Sequence, residues 1–481
     1  MPLSVRERGK ISEVTVRPLL IGFLLALAAA MGLSLLFSVT ICLGTDPELR
    51  ALSDVVSPLA GIAIGAYFAA RLGSWRTGAW IGALYVGLWI GFWLYLTGRL
   101  NPLLWLEEGT RHLTFSHAVF WTLAILAGAL GGWLGPRRKG GGLLFACVVG
   151  AGLTAFLTLG SSLPSFSEPR PGFQIQREGT AADGTTVFFL TFDFRKEPLL
   201  QVGLYDGDSD DLRPFDDANT SYLGQSLARL VRQLNHRAGA SGQQLLAVMN
   251  GGFFGATGLS VARHEAPVVE EGHAHYNVDL LHPKDQAWLF AVQSPSQVEE
   301  GKPRFSMRPA ILWGDLENYQ TVLGGVRPLR VDGLSLPLKP GAGSTRLRCS
   351  RTSIGWSADG HQFHILIVHD PDGEASSQLQ RKMNWPQTGG WDVREVQKFW
   401  EDRSIPFALL FDGGESTQLA FRQARGNFRE IPSGYQYSFT LGHLHQRPLL
   451  FTLPILPPAE ARRGVLNYLQ ITGPIRPATP L

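Results

Sequence analysis

The chain changes character near residue 160, and no single fold class accommodates both sides of that boundary. Ahead of it lie apolar runs that approach bilayer thickness, which takes roughly 20 helical residues to cross. Five stretches, at 18–41, 55–70, 77–97, 114–135 and 141–160, predict an all-α membrane region of about five transmembrane helices over residues 1–160. The second is the weakest, because its Gly61, Gly65 and alanines suit a packed helix hairpin as well as a lipid-exposed span. No Asp or Glu falls in mid-run. Transport pathways need intramembrane ionisable groups, so the region reads as an anchor or assembly platform in a lipid bilayer.

Charge gives the expected orientation. Arg6, Arg8, Lys10 and Arg17 precede the first run, Arg71 and Arg76 separate the second from the third, and Arg137, Arg138 and Lys139 separate the fourth from the fifth. Short basic loops stay on the cytoplasmic side. The expectation is a multi-pass protein of the bacterial inner membrane, with its N-terminus in the cytoplasm and everything after residue 160 in the periplasm or outside the cell. A cleavable signal peptide is not expected, since further runs follow the first without a small-residue cleavage site between them.

The first 160 residues carry 12 Lys and Arg against 7 Asp and Glu, and the rest carry 31 against 33, so the net +3 lies wholly in the apolar part. That balance points to no nucleic-acid partner. Cys42 and Cys147 fall in or beside apolar runs, leaving Cys349 alone in the polar part, so no disulfide framework is available.

Residues 161–175 contain the strip SSLPSFSEPRPG, which reads as a Ser/Pro-rich linker. Residues 176–450 then read as one domain, and 451–481 as a Pro-rich wrap or tail. Strands are predicted at 188–194, 199–205, 245–249, 287–292, 352–356, 363–369, 407–411, 418–421 and 435–441. Helical spacing of apolar residues appears at 221–236 and 392–401. Many strands and few helices predict an α+β outer domain with a large mixed β-sheet.

Chemistry is expected where buried strands end in glycines, which permit positive φ and let a ligand approach the backbone. Two such ends stand out: Asn250-Gly251-Gly252-Phe253-Phe254, and Asp412-Gly413-Gly414-Glu415-Ser416-Thr417. Asp412 and Glu415, separated by a tight turn, are candidates to share acid and base roles. An Asp-Gly-Gly turn is also an ordinary hairpin connection. Arg308 and Arg351, each beside a predicted strand, are candidates to grip a phosphate. His273 and His275 have ligand-like spacing near Glu270 and Glu271, but no third ligand is fixed by spacing, so neither a metal nor a cofactor is expected.

Taken in order, Asn250-Gly-Gly-Phe-Phe254, Arg351-Thr-Ser-Ile-Gly355, the apolar strand ending at His369-Asp370, and Phe411-Asp-Gly-Gly-Glu-Ser-Thr417 resemble the phosphodiester glycosidase family over about residues 180–445. The resemblance implies a hydrolase that releases a sugar from a sugar-1-phosphodiester or related envelope glycan. It implies Asp412 as the critical carboxylate and Asp370 as a further catalytic candidate, which Glu415 joins through its place in the same turn. Substrate would be held by Asn250, Gly251, Gly252, Arg308, Arg351, Gly413, Gly414, Ser416 and Thr417. Glu415 stands where the family commonly has glycine, implying either altered substrate choice or lost activity. The alternatives are a glycan-binding ectodomain without turnover, or an envelope-assembly protein with protein partners that depends on the five-run region.

Overall fold

The computed structural model describes residues 5–40, 47–98, 115–137, 141, 143–144, 165–178, 185–207, 222–223, 227–253, 255–256, 261–263, 266–274, 288–309, 316–338, 347–370, 389–431, 438–444, 447–452 and 465–475. They divide into two compact units, one of residues 1–162 with 437–461 and one of residues 163–436 with 462–481.

The first unit contains helices α1 (Val5–Thr40), α2 (Pro47–Leu72), α3 (Trp75–Gly98) and α4 (Phe115–Leu134), and an antiparallel hairpin of Ser438–Leu444 with Arg447–Thr452. Small residues set its packing. A Cβ on Gly65 would strike the Gly22 carbonyl, and one on Gly131 the Ala63 carbonyl, so helix backbones touch directly at these positions. Ile62, Ala66, Ala69, Ile81 and Ala124 fill the centre.

The expectation of about five transmembrane helices is corrected here, and with it the multi-pass inner-membrane placement. Among the described residues one helical stretch, Val16–Leu33, is long and apolar enough to cross a membrane, and Val56–Leu72 and Thr122–Leu134 are apolar but shorter. α2 opens with Glu48, Arg50 and Asp54, which confine its apolar part to its second half. The expected stretch at 141–160 lies almost entirely outside the described residues.

The second unit is built from two sheets. Its strands are β1 (Phe166–Arg170), β2 (Phe173–Glu178), β3 (Thr186–Asp193), β4 (Gln201–Asp206), β5 (Gln243–Asn250), β6 (Val268–Glu270), β7 (Trp288–Gln293) and β8 (Phe305–Pro309). They continue with β9 (Tyr319–Val331), β10 (Arg351–Trp356), β11 (Gln362–His369), β12 (Phe407–Leu410), β13 (Leu419–Arg422), β14 (Phe428–Ile431) and β15 (Asn467–Pro474). The large sheet runs β1-β2-β3-β11-β10-β12-β9-β7-β8, with β6 also paired to β9. The small sheet runs β14-β13-β5-β15-β4. The expected α+β domain with a large β-sheet is therefore present, and every pairing described above is antiparallel.

Alternation along the strands assigns the faces. Phe188, Leu190, Ile354, Ile365 and Leu409 from the large sheet meet Val202, Leu204, Met249, Phe421 and Leu469 from the small one, forming the inter-sheet core. The opposite face of the large sheet, with Phe189, Leu366, Val368 and Leu410, is covered by α6 (Val393–Asp402) through Val396, Phe399 and Trp400. The outer face of the small sheet is covered by α5 (Leu227–Ala240) through Leu230, Val231 and Leu234. The result is a helix–sheet–sheet–helix sandwich. A capping box closes the start of α6, where Asp392 accepts from the Glu395 N–H and Glu395 accepts in return.

Two stretches differ from the sequence-based expectation. The strip expected as a linker supplies most of the β1–β2 hairpin, turning at Gly172 with φ +81°. The region expected as an irregular tail contributes β15, which lies between β5 and β4 in the small sheet. Pro164, Pro169 and Pro171 in and around β1, and the many prolines on either side of β15, masked their alternation.

Candidate active site

Asn250 ends β5 and is fully buried. Its amide ties the two sheets together. Nδ2 donates to the Asp412 carbonyl at 2.7 Å, while Oδ1 accepts from Thr352 Oγ1 at 2.7 Å and from the Gln418 backbone N–H at 3.1 Å. Both ends of the amide of Asn250, a residue expected to contact substrate, are thus engaged within the protein. Gly251 and Gly252 are buried beside it, where a Cβ would strike Asn467 Oδ1 and the Gly324 carbonyl respectively.

Strand β12 delivers Asp412. Phe411 enters the inter-sheet core, its N–H donating to the Thr352 carbonyl at 2.9 Å, so alternation turns Asp412 toward the α6 side. The Asp412 N–H donates to the Gly251 carbonyl at 3.3 Å, and its Oδ1 accepts from the Gly413 N–H at 2.9 Å. Gly414, at φ +60°, then donates to the Ser350 carbonyl at 2.8 Å, in a conformation that favours glycine. Asp412 is half-buried: its backbone is held on both sides while its carboxylate stays reachable.

Arg351 opens β10 and is 5% exposed. Its Nε donates to the Trp391 carbonyl at 3.0 Å and Nη2 donates to the Leu347 carbonyl. The stem passes Gly413, where a Cβ would lie 3.5 Å from Arg351 Cδ. Asp370, fully buried just beyond β11, donates its N–H to Ser350 Oγ at 2.9 Å.

Strand register adds a residue that sequence reasoning missed. Arg327 on β9 pairs with Leu410 of β12, and Leu410 pairs in turn with Ser353 of β10. At this end of the large sheet Asp370 beyond β11, Arg351 opening β10 and Asp412 beyond β12 lie on neighbouring strands, and Arg327 on the adjoining β9 sits level with Leu410, two residues short of Asp412. Burial, and secondarily the neighbouring Arg351 charge, hold the Arg327 guanidinium below its usual range. The available sequence signal was a third glycine pair ending an apolar run, Leu323-Gly324-Gly325, just before Arg327.

Ser416 and Thr417 are buried, and neither hydroxyl has a hydrogen-bond partner among the described residues. The same holds for Asn467 Oδ1, beside Gly251, a second residue missed because it lay in the expected tail. Glu415 sits in the turn Gly414–Ser416, and its side chain lies outside the described part of the structure. Arg308 is not brought to the site: it is exposed on β8, the far edge of the large sheet, opposite Leu289. His273 is exposed on a short strand paired with β6, and His275 lies outside the described residues. Among the described residues no group of three or more His, Cys, Asp or Glu converges as metal ligands would.

The family profile described as phosphodiester glycosidase matches residues 243–440, less than half of the chain, from β5 through the Asp412 turn. Two of the solved structures that show a distant likeness are these. One is the catalytic domain of zebrafish N-acetylglucosamine-1-phosphodiester alpha-N-acetylglucosaminidase, auto-inhibited by its pro-peptide, at 14% identity and a TM-score of 0.38, covering 66% of this chain and 85% of that one. The other is a hypothetical protein from Synechocystis, at 13% identity and a TM-score of 0.32, covering 63% and 62%. No curated protein matches the chain. Over residues 243–440 the chain thus bears a partial resemblance to phosphodiester glycosidases, which are hydrolases.

Proposed function

We propose that the β-rich unit hydrolyses a sugar-1-phosphodiester or related glycan, releasing the sugar by attack at its anomeric carbon. The observation that carries this reading is the half-buried Asp412 carboxylate beside Arg351, on a turn fixed by Asn250. The match to phosphodiester glycosidases supports it, because residues 243–440 include Asn250, Arg351, Asp370 and Asp412.

In this mechanism Asp412 stabilises positive charge at the anomeric carbon, or directs water to it, as the bond to the phosphate oxygen breaks. A phosphodiester leaves as a weakly basic phosphate, so little proton donation to its oxygen is needed. Charge stabilisation matters more. Ser416 and Thr417 supply hydroxyls to orient the sugar, and Asp370, buried at the neighbouring strand end, supports the Arg351 side of the site. Attachment to a membrane through Val16–Leu33, the one helical stretch among the described residues long and apolar enough to cross it, belongs to the same proposal.

The test is turnover by the purified full chain on a panel of sugar-1-phosphodiesters, with Asp412→Asn as the comparison. Release of free sugar is expected, falling roughly 100-fold or more in the variant. Sugar-phosphate binding without turnover would replace the enzyme by a glycan-binding protein. Unchanged kinetics in folded Asp412→Asn protein would remove Asp412 from the chemistry.

A further inference from the structure

Several arginines of the β-rich unit that are withdrawn from water are visibly occupied by described residues. Arg330 donates to the Ile405 and Gly333 carbonyls and to Ser335 Oγ. Arg422 donates to the Leu245 and Gly426 carbonyls and to Asn235, and Arg170 pairs with Glu197. Arg304 stacks on the Phe194 ring, with its Cζ 4.3 Å from the ring centroid. Arg327 has neither an acid, a carbonyl acceptor nor an aromatic ring against its guanidinium among the described residues, although it is half-buried.

Its place in the fold gives that vacancy a meaning. Arg327 shares the α6 face of the large sheet with Arg351, whose pairing with Val368 fixes its side. The backbone just before it is also tied to the site: Gly325, at φ +66°, accepts from the Phe253 N–H at 2.9 Å, docking the Asn250-Gly-Gly-Phe segment two residues from Arg327. Two cations brought together away from bulk water repel one another and lose hydration. An oxyanion between them reverses both penalties, because guanidinium–phosphate pairs form short, charge-assisted and often bidentate hydrogen bonds. Arg351 has already committed Nε and Nη2 to backbone carbonyls, whereas the fork of Arg327 is uncommitted among the described residues.

We infer that Arg327 is the principal anion contact of this site, gripping the phosphate of a sugar-1-phosphate group. The inference rests on the proposed reading of the same site, and replaces Arg308 as the second phosphate-binding arginine.

Calorimetric titration of the full chain with glucose-1-phosphate, inorganic phosphate and neutral methyl glucoside tests it, using wild type, Arg327→Gln, Arg327→Lys and the surface control Arg195→Gln. Arg327→Gln is expected to weaken both phosphate ligands by about 10-fold or more, leaving methyl glucoside unchanged. Arg327→Lys, which keeps the charge but loses the fork, is expected to fall between, and Arg195→Gln to match wild type. Wild-type phosphate affinity in either Arg327 variant, equal losses for the neutral sugar, or no phosphate binding by the wild type would overturn the inference. Arg327-dependent phosphate binding by a protein that hydrolyses no sugar-1-phosphodiester would sink only the glycosidase reading. Normal turnover with an unchanged KM in Arg327→Gln would sink only the anion contact.

Discussion

Asn250 holds Asp412 across the junction of two sheets: its Nδ2 reaches the Asp412 carbonyl at 2.7 Å while its own backbone belongs to the small sheet. One buried amide thereby sets the position of the candidate catalytic turn relative to the opposing sheet.

Removing that amide strands the polar groups it joins. Asn250→Ala leaves Thr352 Oγ1 and the Gln418 N–H without their acceptor and the Asp412 carbonyl without its donor, at an expected cost of about 2–4 kcal/mol in urea unfolding. Activity is expected to fall further than in a core variant of equal stability, because the Asp412 turn loses its tether. A stability change below about 0.5 kcal/mol would show that the amide is not the clamp described.

Gly251 tests the same junction sterically. Asn467 Oδ1 occupies the place of a Cβ, so Gly251→Ala must displace the buried Asn467 side chain, or β15 or the turn with it. Destabilisation of about 1–3 kcal/mol is expected, with partial recovery in the Gly251→Ala, Asn467→Gly double variant. Purely additive effects in the double-mutant cycle would contradict the steric account.

The arginines separate by position. Arg351→Ala should raise KM for a sugar-1-phosphodiester and lower kcat/KM by about 10-fold or more, since a buried guanidinium beside the Asp412 turn is lost. Arg308→Ala should leave both within about twofold, because the residue lies exposed on the far edge strand. A large kinetic effect of Arg308→Ala would call for a different site.

His364 should make the fold acid-sensitive. Burial, partly opposed by Asp193, lowers its imidazole pKa from 6.5 to about 4, with Thr191 Oγ1 3.0 Å from Nδ1. Between these values the unfolded chain binds a proton that the native protein refuses, so stability declines as pH falls from 6.5 to 4. The loss should approach about 3 kcal/mol at the lower limit. Denaturant unfolding at pH 7 and pH 4 measures it, and His364→Asn should flatten the difference.

Much of this organisation was legible in the sequence because local pattern and tertiary role coincide. Leu245 to Met249 reads as a buried strand ending at Asn250, and Asp392 to Glu401 as an amphipathic helix, since apolar spacing reflects the face each buries. Asp412 was singled out at a glycine-flanked strand end and Arg351 for lying beside a predicted strand. Arg327 was not, because its significance comes from lying opposite Leu410, a relation created by register alone. Arg308 misled for the converse reason: an arginine beside a strand looks alike at the centre and at the edge of a sheet. The apolar helices were overread as spans because glycine and alanine serve helix contact as readily as lipid contact.

The position of β15 has a consequence for the order in which the protein can mature. Asn250 emerges well before Asn467–Pro474, which alone complete one flank of its strand. Until those residues leave the ribosome, β4 and β5 lack the strand that joins them, and the Gly251 N–H lacks the Asn467 carbonyl it meets at 2.9 Å. Nascent chains halted before Asn467 should therefore carry an open sheet edge and an unassembled site, and need protection from edge-to-edge association. A strand made much later acts as the closing stitch for chemistry encoded well before it.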